Sequence, residues 1–162
     1  MPHNQIRVLL VCLGNICRSP LAEVVVKDAA KRRGLKHFHI ESAGTGDWHI
    51  GGGADTRSAA KARQYGLNLS QHSAQQITAA SIQHWHWFVA MDGENRRELL
   101  RMGAPESRLL LMRQFESGHD SVPDVPDPYY GGTDGFEHAY QMLVSNTDAL
   151  LDFLEAQSFG QP

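Results

Sequence analysis

The sequence predicts an α/β fold in which residues 1–162 form a single domain. Two observations support this. Short strand-type runs alternate with segments of helical periodicity, which implies parallel βαβ units with right-handed connections. A chain of 162 residues is also long enough for one domain with a sizeable core. Because ligands bind at the C-terminal ends of parallel strands, that edge of the sheet is where a functional site is expected.

Four strands and four helices follow in order. Residues 6–11, 85–91 and 108–112 are nearly continuous apolar runs, which suit strands buried on both faces, and residues 37–42 alternate between apolar and polar. The first and third helices are expected over 19–33 and 93–102, the third with Asp92 as its N-cap. The second is expected from Asp55 or Thr56 to residue 66, and the last from Thr133 or Asp134 through Leu154.

Charge and cysteine content limit the class of protein. The formal net charge is −3 and the sequence pI about 6.3, so no bulk electrostatic attraction to nucleic acid or to an anionic membrane is expected. No apolar run approaches the ~20 residues of a membrane span, and no signal peptide is visible. Only two cysteines occur, five residues apart, a poor disulfide framework. We therefore expect a cytoplasmic protein without membrane insertion.

The candidate catalytic residues lie in one stretch, from Cys12 to Ser19. The first strand ends at Cys12, a short loop containing Gly14 and Asn15 follows, and Arg18 stands where a helix begins. Backbone N–H groups of such a loop, with the helix dipole behind them, bind an anion and favour a thiolate at the base. Arg18 can hold two phosphate oxygens. Ser19 is expected to be the N-cap, with a hydroxyl that also reaches Cys12. This is a device for attacking phosphorus and forming a cysteinyl-phosphate.

The amino-acid sequence of this stretch resembles a known family signature. Residues 11–20, Val-Cys-Leu-Gly-Asn-Ile-Cys-Arg-Ser-Pro, are similar to the phosphate loop of the low-molecular-weight protein tyrosine phosphatases, and the resemblance extends from Val8 to the final helix. It implies a central four-stranded parallel sheet flanked by helices on both faces, hydrolysis of phosphotyrosine, and no metal or cofactor. The phosphate-binding residues that it implies are Leu13, Gly14, Asn15, Ile16, Cys17 and Arg18.

The mechanism needs a general acid, because a phenolate leaves faster when it is protonated. The long polar loop over 116–134 offers four aspartates at positions 120, 124, 127 and 134, and each alone is readily explained as a turn former. The segment Asp127-Pro128-Tyr129-Tyr130 is similar to the family's Asp-Pro-Tyr-Tyr, and this resemblance selects Asp127. Pro128 restrains the backbone beside the carboxyl group.

Further site residues follow from the resemblance. The loop after Ser42 is similar to the family's Ser-x-Gly…Asp-Trp segment, in which the serine supports the phosphate loop and the tryptophan, here Trp48, lines the substrate cleft. His72 matches a histidine that bonds Asn15 from behind the loop. The expected cleft residues are Leu13, Trp48, Tyr129 and Tyr130, and their aromatic rings can stack on a phenyl ring. We interpret the Met91-Asp92…Asn95 stretch as scaffold.

Several alternatives stay open. Cys17 is either a packing residue or a redox partner that captures oxidised Cys12 as a disulfide. An arsenate reductase of the same fold would relay a disulfide through further cysteines, which the chain lacks. A phosphoarginine phosphatase typically has a threonine where Ile16 stands, and the larger Ile16 favours a phenyl ring. A non-catalytic phosphopeptide-binding module would usually lack the nucleophile or the acid. The expected partner is a phosphotyrosine-containing protein, with a tyrosine kinase as one candidate, and the expected state is a monomer or weak dimer.

Overall fold

The computed structural model describes residues 5–130, 132 and 134–159, apart from the side chains of residues 130, 158 and 159. Four strands alternate with four helices along the chain, in agreement with the predicted α/β fold class. The elements are β1 Ile6–Cys12, α1 Arg18–Arg32, β2 Phe38–Gly44, α2 Thr56–Gln64, β3 Trp87–Ala90, α3 Gly93–Arg101, β4 Leu109–Leu111 and α4 Asp134–Phe159.

The strands form one parallel sheet in the order β2-β1-β3-β4. In this register Cys12 at the end of β1 lies beside Gly44 on β2, and Val11 lies beside Ala90 on β3. The C-terminal ends of β1, β2 and β3 therefore meet at one edge, and the loop after β1 lies there between two neighbours.

Both faces of the sheet are covered, as expected for parallel strands. Side chains alternate along β1, so that Val8 and Leu10 face a core built with α1, α2 and α4, whereas Leu9 and Val11 face a second core that includes Leu99 of α3. The central strand is consequently buried almost throughout. In the described ranges, no helix combines the length and the apolar composition that crossing a bilayer requires.

Three predicted boundaries are wrong by two residues. The second strand ends at Gly44 rather than at residue 42, and the second helix ends at Gln64 rather than at residue 66. The third strand begins at Trp87 rather than at residue 85, because Ile82–His84 form a short 3-10 turn and the indole of Trp85 lies under the Arg7 guanidinium, 4.7 Å from its ring centre. The last helix runs through Leu154, as predicted, and continues to Phe159.

Candidate active site

The loop between β1 and α1 is fastened to the end of β2. The N–H groups of Thr45 and Gly46 donate to the carbonyl oxygens of Cys12 and Leu13 at 3.0 and 2.9 Å. A Cβ atom at Gly44 would come within 2.7 Å of the Leu13 oxygen, so glycine is what allows β2 to run directly beneath the loop. The loop is thus held by backbone contacts on a rigid strand.

Cys12 is buried at the base of this loop, with two polar neighbours at its sulfur. The Asn15 N–H donates to Sγ at 3.3 Å, and the Ser19 hydroxyl lies 3.0 Å from Sγ. Because Asn15 Nδ2 donates to the Ser19 oxygen at 2.9 Å, the hydroxyl hydrogen is left for the sulfur or for the Ala43 carbonyl oxygen, which is farther away at 3.4 Å. Both contacts suit a thiolate.

The predicted N-cap role of Ser19 is wrong. Helix α1 begins at Arg18, and Cys17 occupies the cap position without a side-chain hydrogen bond to the helix. The Ser19 hydroxyl, which would have capped a later start, instead contacts the Cys12 sulfur and the Asn15 amide. The first turn of α1 is therefore left open toward the loop, where an anion can use its N–H groups.

Asn15 holds the loop in shape. Among the described residues it is the one non-glycine with a positive φ, 58°, and it is fully buried. Its Nδ2 group donates to Ser19 and, at 3.0 Å, to Ser42 Oγ, while its Oδ1 atom accepts from the Gln75 N–H at 2.9 Å. The His72 ring nitrogen Nε2 lies 2.7 Å from the Asn15 carbonyl oxygen. Ser42 and His72 thus lie where the family resemblance implies, and their supporting roles remain a prediction.

Arg18 reaches the site from the first turn of α1 and is 3% exposed. Its Nη1 atom donates to Asp92 Oδ2 at 2.6 Å and to the Val125 carbonyl oxygen at 2.9 Å. Its Nη2 atom lies 3.6 Å from Asp127 Oδ2. Burial acts to lower the pKa of Arg18, but the charges of Cys12, Asp92 and Asp127 outweigh it, and the pKa lies above its ordinary value. The guanidinium is therefore a fixed cation.

Asp92 has a second role that sequence reasoning missed. Its Oδ1 atom accepts from the Asn95 N–H at 2.8 Å, which confirms the predicted N-cap of α3. Its Oδ2 atom is the one that pairs with Arg18. One signal was available in the sequence, because Asp92 directly follows a buried strand and so lies at the same sheet edge as Cys12.

Asp127 is oriented by its own loop. Its Oδ1 atom accepts from the Tyr129 N–H at 3.0 Å, which leaves Oδ2 directed toward Arg18. Of the four candidate aspartates, all of which the structure describes, Asp127 is the one that lines the cavity above Cys12. Asp124 is used elsewhere, since its Oδ1 atom accepts from the Gly93 N–H at 3.0 Å.

A cavity of about 310 Å³ opens above the loop, close to the lower end of the range for small-molecule sites. Trp48, Tyr129 and Leu13 line it and are themselves 67%, 43% and 40% exposed, as expected for side chains at the mouth of a cleft. The side chain of Tyr130 lies outside the described part of the chain. The remaining lining residues are Cys12, Gly14, Ile16, Cys17, Arg18, His49 and Asp127.

Cys17 also lines this cavity, and both cysteines are free thiols. Burial, followed by the charges of Asp55, Asp127 and Cys12, raises the pKa of Cys17 to about 12. Cys17 is therefore a protonated thiol at neutral pH, and its redox role stays a prediction. Within the described ranges, no three His, Cys, Asp or Glu side chains are grouped as metal ligands.

Arg57 makes further contacts at the mouth of the cavity that the sequence did not indicate. It pairs with Asp55, whose N–H donates to the Ile16 carbonyl oxygen at 2.8 Å. Its guanidinium also lies over the Tyr129 ring, 5.2 Å from the centre, and donates to the Tyr129 carbonyl oxygen at 3.3 Å. The start of α2 thereby joins the phosphate loop to the Asp127 loop, and no local pattern distinguishes such an arginine from a solvated one.

A thiol at the base of an anion-binding loop, with a buried arginine and an oriented carboxyl group above it, defines a cysteine-based phosphate site. The chain belongs to the low molecular weight phosphotyrosine protein phosphatase family, whose model matches residues 7–159.

Known members agree with this placement. A low molecular weight protein-tyrosine-phosphatase from Streptomyces coelicolor is 40% identical over 96% of this chain and 97% of its own. The crystal structure of a protein tyrosine phosphatase from Entamoeba histolytica is similar with a TM-score of 0.86 at 32% identity, covering 94% of this chain and 99% of that one. A Drosophila arginine phosphatase is similar with a TM-score of 0.84 at 28% identity, covering 92% and 98%.

Proposed function

We propose that the protein hydrolyses phosphotyrosine in proteins through a cysteinyl-phosphate intermediate, with Cys12 as nucleophile, Arg18 as phosphate clamp and Asp127 as general acid and base. The observation that carries the proposal is their convergence. The Cys12 sulfur, the buried Arg18 cation and Asp127 all line one cavity, whose outer wall carries the aromatic rings of Trp48 and Tyr129.

The first step transfers the phosphoryl group to sulfur. The loop N–H groups and the α1 N-terminus bind the phosphate oxygens, and the planar fork of Arg18 binds two of them. Cys12 Sγ forms the S–P bond as the P–O bond to the phenol breaks. Because the Asn15 N–H and the Ser19 hydroxyl already contact the sulfur, the nucleophile needs little reorganisation.

Asp127 handles the proton in both steps. The Tyr129 N–H holds Oδ1, so Oδ2 is the atom that donates its proton to the departing phenolate oxygen. The resulting carboxylate then takes a proton from water, whose oxygen attacks phosphorus and releases inorganic phosphate and the Cys12 thiolate.

The cavity walls support the choice of substrate. Trp48 and Tyr129 both line the cavity and offer aromatic faces on which a phenyl ring can stack, while Cys12 lies in the same cavity. A phosphoserine side chain is shorter and offers no ring for these walls. Ile16, which also lines the cavity, adds apolar contact for the ring.

The test is metal-independent phosphate release from phosphotyrosyl, phosphoseryl and phosphoarginyl substrates in the presence of chelator. We expect turnover of the phosphotyrosyl peptide, loss of turnover in Cys12→Ser, and a fall of about 10²- to 10⁴-fold in kcat for Asp127→Asn. Asp120→Asn is the matched control, since it changes an exposed aspartate of the same loop that does not line the cavity. Turnover that survives Cys12→Ser would refute the mechanism.

The other substrates decide between related activities. Faster phosphate release from phosphoarginine would support the same cysteinyl-phosphate mechanism but make phosphoarginine the substrate. The similarity to a Drosophila arginine phosphatase is the reason to include this substrate. Arsenate reduction would require a relay beyond Cys17, and the sequence has only two cysteines. Phosphopeptide binding without any turnover would indicate a binding module.

We further propose a cytoplasmic setting, a phosphorylated tyrosine kinase as one protein substrate, and a monomer or weak dimer. Two free thiols in the cavity support a reducing compartment. Dephosphorylation of an autophosphorylated tyrosine kinase in vitro tests the substrate, and sedimentation over a range of concentrations tests the oligomeric state.

A further inference from the structure

The two most exposed large apolar side chains among the described residues lie two positions apart beside the cleft. Trp48 is 67% exposed and Ile50 is 59% exposed, whereas the other large exposed apolar side chains range from 38% to 43%. Trp48 lines the cavity, but Ile50 does not. Two residues of chain span at most about 7 Å, so Ile50 stands just outside the space that a phosphotyrosine ring would fill.

Gly46 sets the position of the indole. A Cβ atom at Gly46 would lie 1.9 Å from Trp48 Cζ3 and 2.3 Å from Cε3, so the ring lies directly against the glycine backbone. No residue other than glycine leaves room for this placement. With one face against the backbone, the indole forms a flat apolar surface rather than a mobile side chain.

The segment that carries these residues is held at both ends. The Gly46 N–H donates to the Leu13 carbonyl oxygen at 2.9 Å. At the other end, the Gly51 N–H donates to the Ala74 carbonyl oxygen and the Ala74 N–H donates to the Gly52 carbonyl oxygen, both at 2.8 Å. A surface fixed in this way loses little conformational entropy when a peptide binds. We call Gly46, Trp48 and Ile50 the apolar shelf.

We propose that the apolar shelf binds a large apolar residue that flanks the phosphotyrosine, and so selects substrates with apolar rather than acidic flanks. This inference rests on the proposed function, because it extends the same cleft. Trp48 belongs both to the cavity wall and to the shelf, so a residue next to the bound phosphotyrosine lies beside the shelf.

The charges at the mouth agree with an apolar occupant. Arg57, the exposed cation at the mouth, is already paired with Asp55. An acidic flanking residue would therefore find this cation already neutralised, whereas an apolar one would cover Trp48 and Ile50.

The experiment compares three phosphotyrosyl peptides that differ only in flanking residues, which are leucine, serine or aspartate. We expect kcat/KM for the leucine peptide to exceed that of the serine peptide about tenfold. Ile50→Ser and Gly46→Ala should each reduce this ratio to within about threefold of one. In Gly46→Ala, the indole N–H resonance of Trp48 should shift more than those of the two other tryptophans.

Two controls separate the shelf from general effects. Gly53→Ala adds a methyl group where nothing lies within 4 Å, and Val144→Ser removes an exposed apolar side chain on α4. Both should leave the peptide ratio unchanged. The ratio of the leucine and serine peptide affinities is also measured with Cys12→Ser, because binding needs no turnover.

The outcomes are distinct. Equal kcat/KM for the three peptides, a preference for aspartate, or a leucine preference that persists in both shelf variants would overturn the inference, while phosphate release would still support the proposed function. Without turnover, a leucine preference in binding would keep the shelf and refute the hydrolysis.

Discussion

Replacing Asp92 with asparagine tests how the buried cation of the site is positioned. Arg18 is 3% exposed and its Nη1 atom is bonded to Asp92 Oδ2 at 2.6 Å and to the Val125 carbonyl oxygen. Asparagine keeps the shape of the side chain and an oxygen for the α3 cap, and asparagine caps helices about as well as aspartate. The change therefore keeps the cap, but it replaces the Oδ2 acceptor of Arg18 with an amide N–H₂ group, which cannot accept a hydrogen bond.

The magnitude follows from the hydrogen bond that is lost. A hydrogen bond to a charged group contributes about 1.5–3 kcal/mol. Its loss corresponds to an effect of about 10- to 150-fold. We expect Asp92→Asn to lower kcat/KM by about that factor, because a guanidinium less firmly held is less well aligned with the phosphate. Asp92→Ala should be worse and should also destabilise the fold by about 3–5 kcal/mol, since it leaves a buried charge with less compensation.

The assay is initial-rate kinetics on a phosphotyrosyl peptide, with inorganic phosphate as a competitive inhibitor that reports on the same pocket. Urea unfolding of each variant gives the stability change. Asp124→Asn, which also removes an aspartate that accepts from the start of α3, is the control for an effect on that helix alone. If Asp92→Asn binds phosphate and turns over substrate as the unmodified protein does, Arg18 is positioned by contacts other than Asp92.

Three further predictions concern separate features. Asn15→Gly should relieve the positive φ yet lower kcat/KM about 10- to 100-fold in the same assay, because three side-chain hydrogen bonds are lost. Hydrogen bonds led by Arg113 lower the pKa of Glu116 from 4.5 to about 2, so its stabilisation is complete above pH 4.5 and is lost as the pH falls toward 2. Urea titrations at several pH values should therefore show that the free energy of unfolding falls less for Glu116→Gln than for the unmodified protein, by about 1–2 kcal/mol over that window. With limiting iodoacetamide at pH 7, peptide mass spectrometry should find Cys12 alkylated about tenfold more than Cys17, whose pKa is about 12, and equal labelling would contradict this.

The fold was predictable because its signals are local. Apolar runs in the sequence identify β1 and β4, and their alternation with helical segments fixes a parallel sheet. The error at residue 85 has a physical cause. Tryptophan favours strands by its size and shape, but Trp85 packs under Arg7 outside the sheet, a contact between residues 78 positions apart that no local window contains.

The site was predictable only in part, for the same reason. The residues from Cys12 to Ser19 are close in sequence, so their spacing already indicates a phosphate loop. Asp92 lies 74 residues from Arg18, and an aspartate that only caps a helix looks the same in sequence as one that also pairs with a buried arginine. The predicted N-cap role of Ser19 was wrong because a hydroxyl near a helix start can either cap the helix or bond to a neighbouring side chain. Ser19 is buried next to Cys12 and contacts its sulfur instead of capping α1.

Asn15 explains why the loop is built from this residue rather than from glycine. Glycine adopts a φ of 58° without strain, whereas asparagine does so at a cost of about 1 kcal/mol. Its side chain, however, makes three hydrogen bonds at 2.9–3.0 Å in a fully buried position, each with a net contribution of about 0.5–1.5 kcal/mol. These bonds more than offset the strain, and they join the loop to β2 and to residue 75. The left-handed turn that aims the Asn15 N–H at the Cys12 sulfur is thus stabilised by the residue that makes it.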